Sequence, residues 1–326
     1  MAAPSGSASH VTADQSPPNA LLAANGSLTD QLGGEFPFKA HYLQHAGHWL
    51  HYVDEGPRDG EVLLLVHGNP TWSFFWRAWI QQLSKTHRVI AIDLLGCGLS
   101  EKPADGDYTL AGHGRSVAAL AEHLELERIT LGLHDWGGAI GMNFARLAPE
   151  RIARLVFANT AAFPHPSLPK RIAACRLPLI GPLLVRGLSG FTRAALKMTT
   201  RDELSKTVRH AYSAPYSNWA DRVAIQAFVD DIPMSAVHPS RAELEAVEQG
   251  LALFREHPAL ILWGLRDWCF TPAILERWSE FLPNARVERY GDAGHWLLED
   301  EPQRTADEVA RFLGENPLPV PKSTGA

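Results

Sequence analysis

The chain has 326 residues, of which 45% are hydrophobic and 20% are charged, as is typical of a globular protein with one large core, either a single domain or a domain with an insertion. A net charge of −6 and a pI of about 6.2 argue against nucleic acid and acidic membrane surfaces as partners. No apolar run approaches the ~18 residues that a transmembrane helix needs.

Cysteine and histidine usage predicts neither a disulfide framework nor a metal site. The three cysteines, Cys97, Cys175 and Cys269, are odd in number and scattered, as expected of reduced thiols. The 15 histidines show no zinc-ligand spacing. The N-terminus lacks a basic segment followed by a continuous apolar one, so we expect no signal peptide. These features predict a cytoplasmic protein with no metal and no cofactor.

The first half of the chain alternates short apolar runs with amphipathic segments. Residues 1–34 are rich in Ser, Ala, Gly, Pro and Asn and predict a disordered extension. Strands and helices are then predicted in the order of two short strands within 38–54, a strand at Val62–Val66, a helix at 75–83, a strand at 89–94 and a helix at 115–124. This alternation predicts an α/β fold with a mostly parallel sheet and helices on both faces.

The next strand, which starts at Ile129, breaks abruptly into a helix at residues 139–147. Apolar residues before the break and Gly137-Gly138 after it indicate a sharp strand–turn–helix elbow with Asp135 at its centre. The commoner version of this elbow carries Ser. An aspartate is already ionised at neutral pH and attacks carbon without a base, so we predict Asp135 as a nucleophile. The alternative is an N-cap for the helix.

The second half interrupts this alternation and then resumes it. A strand at 152–158 is followed by helix-like sequence, which predicts a helical cap over 161–257 inserted into a core formed by 35–160 and 258–313. The sheet pattern resumes with a strand at 259–263, a helix at Pro272–Phe281, a strand at 285–290 and a helix at 303–313. The Pro-rich residues 314–326 predict a loose tail.

Two further side chains follow later strands of the predicted sheet. Asp267 comes just after the strand at 259–263, and His295 just after the strand at 285–290. Because the carboxyl ends of parallel strands share one edge, both can meet Asp135 in one crevice. The order of nucleophile, acid and histidine is that of a hydrolase triad, with His295 as base and Asp267 as its orienting partner. Asp292 is a weaker candidate for the acid, and ordinary loop positions are the alternative.

Asn69 and Trp136 are predicted to form an anion-binding pair. Asn69 lies in the loop after the strand Val62–Val66, and Trp136 follows the nucleophile, so their backbone N–H groups are candidate oxyanion donors. The carboxamide and the indole N–H add two side-chain donors. Core packing for Trp136 and a turn role for Asn69 are the alternatives. We expect Asp93 to brace the turn that follows its strand.

Four motifs resemble those of the haloalkane dehalogenase family of α/β-hydrolases, with similarity over about residues 38–312. They are His67-Gly68-Asn69-Pro70-Thr71-Trp72-Ser73, His134-Asp135-Trp136-Gly137-Gly138, Trp263-Gly264-Leu265-Arg266-Asp267 and Asp292-Ala293-Gly294-His295. Cap segments at 159–163 and 228–233 are similar to the branch that contains the β-lactone decarboxylases of long-chain olefin biosynthesis. This resemblance implies Asp135, His295 and Asp267 as the triad and Asn69 with Trp136 as the polar pair.

The resemblance also separates this chain from two related groups. Epoxide hydrolases share the elbow but usually carry Phe in place of Asn69 and need two cap tyrosines. In this chain Tyr212 and Tyr216 lie four apart in the cap, and we interpret them as structural aromatics, with donation to a substrate oxygen as the alternative. Fluoroacetate dehalogenases usually carry Arg in place of Trp136. His134 departs from the Gln that is frequent in dehalogenases.

Three functional hypotheses remain open on the sequence. The first is decarboxylation of cis-3,4-dialkyl-β-lactones to cis-alkenes and carbon dioxide. The second is hydrolysis of haloalkanes through an alkyl-enzyme ester, with epoxide hydrolysis or another hydrolase activity as a further alternative. The third is a catalytically silent binding module. The substrate is expected to be small and hydrophobic. The apolar cap residues 177–185 are interpreted as cap core, as lining for alkyl chains, or as a docking surface for other olefin-biosynthesis enzymes or lipid.

Overall fold

The computed structural model describes residues 16–165 and 168–318. In these ranges an eight-stranded sheet has the order β1-β2-β4-β3-β5-β6-β7-β8. The strands are β1 His41–His45, β2 His48–Glu55, β3 Val62–Val66, β4 Arg88–Ile92, β5 Ile129–Asp135, β6 Ile152–Thr160, β7 Ala259–Gly264 and β8 Arg286–Tyr290. Strands β3 to β8 pair in parallel, whereas β2 pairs antiparallel with β1 and β4. The predicted mostly parallel sheet is therefore confirmed.

Helices cover both faces of this sheet and fill the segment between β6 and β7. They are α1 Asn19–Leu32, α2 Arg77–Leu83, α3 Leu110–His123, α4 Trp136–Leu147, α5 Lys170–Ala174, α6 Ile180–Pro182, α7 Gly190–Met198, α8 Lys206–Ser213, α9 Val223–Asp230, α10 Arg241–Gly250, α11 Pro272–Phe281, α12 Leu297–Asp300 and α13 Pro302–Glu315. In the described ranges, no helix combines the length and the apolarity needed to cross a bilayer.

Alternate residues of each central strand enter two separate cores. In β3, Leu64 and Val66 join the core under α3, α4 and α11, while Leu63 and Leu65 join the core under α2 and α13. Side chains of a strand point alternately to opposite faces, so a run that is apolar at every position fits a strand buried on both sides. This burial fixes the strand ends that carry the predicted site.

The N-terminal segment corrects one prediction. Disorder was expected over residues 1–34, but Asn19–Leu32 form a helix, and residues 1–15 lie outside the described ranges. Asn25 donates to the carbonyl of Leu99 at 2.7 Å and to the Tyr42 hydroxyl at 2.8 Å. Composition indicated disorder because the segment carries few large apolar residues. Its helix is instead held by the hydrogen bonds of Asn25 to distant parts of the chain and by Leu32, which is buried in a hydrophobic core.

Two further boundaries differ from those expected. The tail prediction over 314–326 is wrong at its start, because α13 runs to Glu315 and the Leu318 N–H donates to Glu61 at 3.1 Å; residues 319–326 lie outside the described ranges. Within the predicted cap at 161–257, α10 packs against α4, and Glu243 pairs with Arg146 at 2.5 Å. We therefore propose that the cap proper ends before α10.

Candidate active site

The elbow at Asp135 joins β5 directly to α4. Asp135 adopts φ 52° and ψ −125°, a strained conformation for a residue with a side chain. The Thr160 hydroxyl donates to its backbone carbonyl. A Cβ on Gly137 would lie 2.0 Å from the carbonyl oxygen of Val66, so only glycine allows the helix to start this close to β3. The sequence prediction of a sharp elbow is therefore matched by the backbone.

The predicted nucleophile, histidine and acid lie in contact with one another. His295 Nε2 is 3.4 Å from Asp135 Oδ2, and His295 Nδ1 donates to Asp267 Oδ2 at 2.8 Å. All three side chains are buried. The competing candidate, Asp292, is exposed and pairs with Arg266 at 2.6 Å, so it does not reach the imidazole. The geometry allows one carboxylate to orient the ring and the other to face substrate.

Asp267 is held by contacts that the sequence prediction missed. Its Oδ1 accepts the N–H groups of Cys269 and Phe270 at 2.7 and 3.0 Å, and its Oδ2 accepts the Asn159 amide at 2.9 Å. Asn159 Oδ1 in turn accepts the Gly264 N–H at 2.8 Å. A polar residue at the end of an otherwise apolar strand was the available signal for Asn159. It fixes the carboxylate that orients His295.

His134 positions the backbone of His295. Its Nε2 donates to the His295 carbonyl at 3.0 Å, and its ring stacks on Phe75 with a centroid separation of 4.2 Å. Burial lowers the pKa of His134 to about 3, so the ring is neutral and keeps the proton that this bond requires. Where the resemblance led us to expect Gln, His134 supplies the same kind of donor.

The electrostatics of the site favour a charged pair. Burial opposes the imidazolium, but the carboxylates of Asp267 and Asp135 outweigh it and raise the pKa of His295 to about 10. Burial likewise disfavours the Asp135 carboxylate, yet His295 and the Asn69 N–H hold the Asp135 pKa below its usual value. At neutral pH the resting site therefore contains the ionised Asp135 carboxylate beside an imidazolium.

This charge state predicts a pH-dependent stability. The His295 pKa is higher in the folded chain than in the unfolded one, so its contribution is complete below about pH 6.5 and is lost as the pH rises to about 10. His295→Gln should reduce the free energy of unfolding by about 3–5 kcal/mol more at pH 6.5 than at pH 10, measured by urea unfolding.

The exposed His210 provides the control for this experiment. His210→Gln should keep the wild-type dependence on pH across the same range. A stability difference between wild type and His295→Gln that stays constant from pH 6.5 to pH 10 would show that His295 titrates normally.

Asn69 and Trp136 both reach the predicted site, with different roles for their donors. The Asn69 backbone N–H donates to Asp135 Oδ1 at 2.6 Å, and its side-chain amide donates to the Ile225 carbonyl at 3.2 Å. Trp136 is half-buried and lines the cavity above Asp135, and its indole N–H donates to no atom of the described residues. The predicted pair is thus brought together, with one of the two N–H groups of the Asn69 carboxamide already bonded.

Gly68 sets the space available to the Asp135 carboxylate. A Cβ at this position would lie 2.1 Å from Asp135 Oδ1. Gly68→Ala should therefore displace the carboxylate and lower kcat by at least about 100-fold in a product-release assay, as expected for misplaced reacting atoms. Gly314→Ala, whose Cβ meets no atom within 4 Å, is the matched control and should leave kcat unchanged. Equal kcat values for the two variants would contradict the Asp135 placement.

Two apolar cavities of about 150 and 240 Å³ meet at Asp135. Both are lined by Asn69, Asp135, Ile172, Phe191 and Cys269. The first extends between Phe163, Val229, Leu244 and Ile274, and the second extends towards Leu184, Ala195, Met198 and Trp296. Their linings are mostly apolar. The site can therefore hold a small polar group beside Asp135 with apolar substituents in two directions.

The cap tyrosines and Asp93 have structural roles. The Tyr212 hydroxyl donates to Glu299, and the Tyr216 hydroxyl donates to the Thr71 carbonyl at 3.3 Å. Neither tyrosine lines a cavity at Asp135. Asp93 accepts the N–H groups of Ser73 and Leu99 at 2.6 and 2.8 Å, as expected for a brace. Within residues 16–165 and 168–318, no cluster of His, Cys, Asp or Glu side chains could hold a metal ion.

The parallel sheet, the elbow and the helices inserted after β6 define an α/β-hydrolase fold, and the profile of that fold family matches residues 61–302. The chain is 42% identical to the cis-3-alkyl-4-alkyloxetan-2-one decarboxylase of Shewanella oneidensis over 286 residues, covering 86% of this chain and 89% of that protein. The enzyme of the same name from Xanthomonas campestris is 39% identical over 280 residues, covering 82% and 93%.

The chain is also similar to solved structures of haloalkane dehalogenases. The crystal structure of the haloalkane dehalogenase DatA from Agrobacterium tumefaciens matches with a TM-score of 0.78 and 27% identity, covering 88% of this chain and 99% of that chain. The chain therefore belongs to the α/β-hydrolase family of enzymes, in the branch that joins haloalkane dehalogenases with oxetan-2-one decarboxylases.

Proposed function

We propose that this protein converts cis-3,4-dialkyl-β-lactones into cis-alkenes and carbon dioxide, with Asp135 as the nucleophile. The observation that carries the proposal is the pair of apolar cavities that share Asp135 in their linings and, beyond the residues common to both, are lined by different residues. A cis-3,4-dialkyl-β-lactone carries two alkyl chains on adjacent ring carbons, so each cavity takes one chain while the ring lies at the carboxylate. The names of the two decarboxylase relatives support the same substrate class.

The chemistry requires only the groups already in place. Asp135 attacks C4 of the lactone, the C4–O bond breaks, and a carboxylate remains on C3. The C3–carboxylate bond then breaks, its electron pair forms the C3–C4 double bond, and Asp135 departs from C4. Carbon dioxide and alkene are released, and Asp135 is regenerated without water. Inversion at C4 followed by anti elimination keeps the two alkyl chains cis.

His295 assists the first step of this reaction. Its Nε2 lies beside Asp135, and its raised pKa keeps it protonated at neutral pH. The imidazolium can therefore donate to the lactone ring oxygen as negative charge develops there. Asp267 and Asn159 hold the ring in that orientation.

Purified protein incubated with a cis-3,4-dialkyl-β-lactone should form the cis-alkene, detected by gas chromatography. Bromide release from 1-bromobutane and 1,2-dibromoethane should be measured in parallel. Alkene formation with slower bromide release is the expected result. Absence of alkene from a folded, monodisperse sample would reject the proposal.

The two cavities predict separate control of the two chain lengths. Val229 lines only the first cavity and Ala195 only the second. Val229→Phe and Ala195→Leu should each shorten the longest chain accepted at one ring carbon and leave the other carbon unaffected. Lactones with one long and one short chain, in both arrangements, measure this as changes in kcat/KM. If both variants shortened the chain accepted at the same ring carbon, the assignment of one cavity to each alkyl chain would be wrong.

Haloalkane hydrolysis is the second candidate. Trp136 lines the first cavity, its indole N–H has no acceptor among the described residues and is free for a halide, and the fold matches DatA. The Asn69 amide gives one of its two N–H groups to the Ile225 carbonyl, so only the other is left for a halide. Epoxide hydrolysis has less support, because the hydroxyls of Tyr212 and Tyr216 bond elsewhere.

A further inference from the structure

A group of large apolar side chains on the cap is exposed to solvent. Its members, called the cap patch below, are Leu177, Leu179, Ile180, Leu183, Leu188 and Trp219, with Leu179 88% exposed. The interpretation of residues 177–185 as cap core is therefore wrong for four of these positions, while Val185 is buried. Single exposed leucines are common on proteins, but a contiguous group of them marks an interaction surface.

Backbone and ring contacts make the patch one surface. Leu183 N–H donates to the Leu179 carbonyl at 3.3 Å, and Leu188 N–H donates to the Leu183 carbonyl at 2.9 Å. A Cβ on Gly187 would contact both Leu183 and Trp219. The Arg186 guanidinium lies over the Trp219 ring, 4.7 Å from its centroid. Leu179 has a positive φ of 64°, a strained conformation that keeps this turn compact.

The same segment is strongly basic in a chain whose net charge is −6. Residues 168–200 contain no Asp or Glu, and their cations are Lys170, Arg171, Arg176, Arg186, Arg193 and Lys197. None of these six forms a salt bridge with a carboxylate of the described residues. The carboxylate nearest in sequence to Trp219 is Asp221, which accepts from Ser217 and Asn218. Whole-chain charge, which argued against an acidic membrane partner, does not reveal this local excess.

We propose that the cap patch docks this protein onto an anionic phospholipid surface. Exposed leucines and a tryptophan on a segment that carries six lysines and arginines without carboxylate partners are the composition of an element that lies in the membrane interface. A second copy of the chain fits less well, because a two-fold contact would bring the two sets of six cations together. This docking does not depend on the proposed reaction.

The patch adjoins one of the cavities that lead to Asp135. Arg171, Leu184 and Phe191, from the same segment, line the second cavity. A water-insoluble substrate held in the bilayer would therefore enter the protein where the protein meets the lipid. The same cap segment would therefore contact the lipid and admit the substrate.

Flotation of the full chain with vesicles tests the proposal. Protein is mixed with vesicles of phosphatidylcholine alone or of phosphatidylcholine with an equal part of phosphatidylglycerol, at 0.05 and 0.5 M NaCl. The partition coefficient should be at least about ten-fold higher on the anionic vesicles, and high salt should remove most of that difference. Equal partition on the two vesicle types, or no partition, would overturn the proposal.

Two sets of variants separate the apolar and charged contributions. One triple variant removes apolar side chains: Leu179→Ser, Ile180→Ser, Leu183→Ser. The other removes charge: Lys170→Gln, Arg193→Gln, Lys197→Gln. Each should lower the partition coefficient on anionic vesicles at least about ten-fold. Leu147→Ser with Leu253→Ser, and Lys39→Gln with Lys85→Gln, change equally exposed residues outside the patch and should partition like wild type.

Melting temperature and bromide release from 1,2-dibromoethane show whether each variant is folded and whether its site is intact. If either triple variant bound anionic vesicles with the same partition coefficient as the wild type, the proposal would be rejected. A concentration-dependent dimer in sedimentation velocity, lost in the leucine variant and accompanied by no vesicle binding, would assign the patch to self-association instead.

Discussion

Asp135→Asn is expected to lower both alkene formation and bromide release by at least about 1,000-fold. An amide of the same shape keeps the contacts to Asn69 and His295 but carries no charge to attack carbon. The Asp267–His295 pair remains in place, so the melting temperature should shift by no more than about 5 °C. Gas chromatography, halide release and thermal unfolding monitored by circular dichroism are the measurements.

Asp292→Asn is the matched control for this variant. Asp292 is the exposed carboxylate that the sequence offered as a competing acid, and it pairs with Arg266. Its variant should keep wild-type activity. If Asp135→Asn retained more than about a tenth of wild-type activity, another group would be the nucleophile. Absence of both activities from the wild type as well would favour the binding-module hypothesis.

His295→Gln is expected to act differently on the two candidate substrates. Alkene formation should fall about 10²–10³-fold, because the donor to the leaving oxygen is lost but no water has to be activated. With 1,2-dibromoethane the variant should release about one bromide per protein and then stop. Ester formation neutralises Asp135 and lowers the His295 pKa, so only the wild type gains a neutral base that can activate water.

The burst amplitude and the intact mass of the protein measure this difference. A covalent alkyl adduct should accumulate on His295→Gln with the haloalkane. His210→Gln, at an exposed histidine, should behave like wild type with both substrates. Steady bromide release by His295→Gln would show that the imidazole is not the base. If His295→Gln formed alkene at the wild-type rate, His295 would have no role in the lactone reaction.

Much of the fold could be predicted because the central strands are apolar on both faces. Strand Val62–Val66 and helix Pro272–Phe281 have the predicted bounds, since a doubly buried run and a proline at the first helical position are local signals. Parallel strand ends share an edge, so Asp135, Asp267 and His295 could be placed together from spacing alone.

What could not be predicted depends on contacts between distant residues. Helix Asn19–Leu32 is anchored by Asn25, which bonds to Leu99 and Tyr42, and by the burial of Leu32, and neither contact can be inferred from the composition of the segment. The role of Asn159 arises from the register between β6 and β7. Exposure of the leucines at 177–183 depends on how the short cap helices pack, and an apolar run alone is compatible with core or surface.

A single turnover in H₂¹⁸O with a cis-3,4-dialkyl-β-lactone tests the central claim most directly. The products are analysed by gas chromatography with mass spectrometry, and the peptide that contains Asp135 is weighed after digestion. We predict cis-alkene, no hydroxy acid and no ¹⁸O in Asp135, because the carboxylate leaves by cleavage of its bond to C4. Formation of a hydroxy acid, with ¹⁸O in the product or in Asp135, would show hydrolysis and contradict the account.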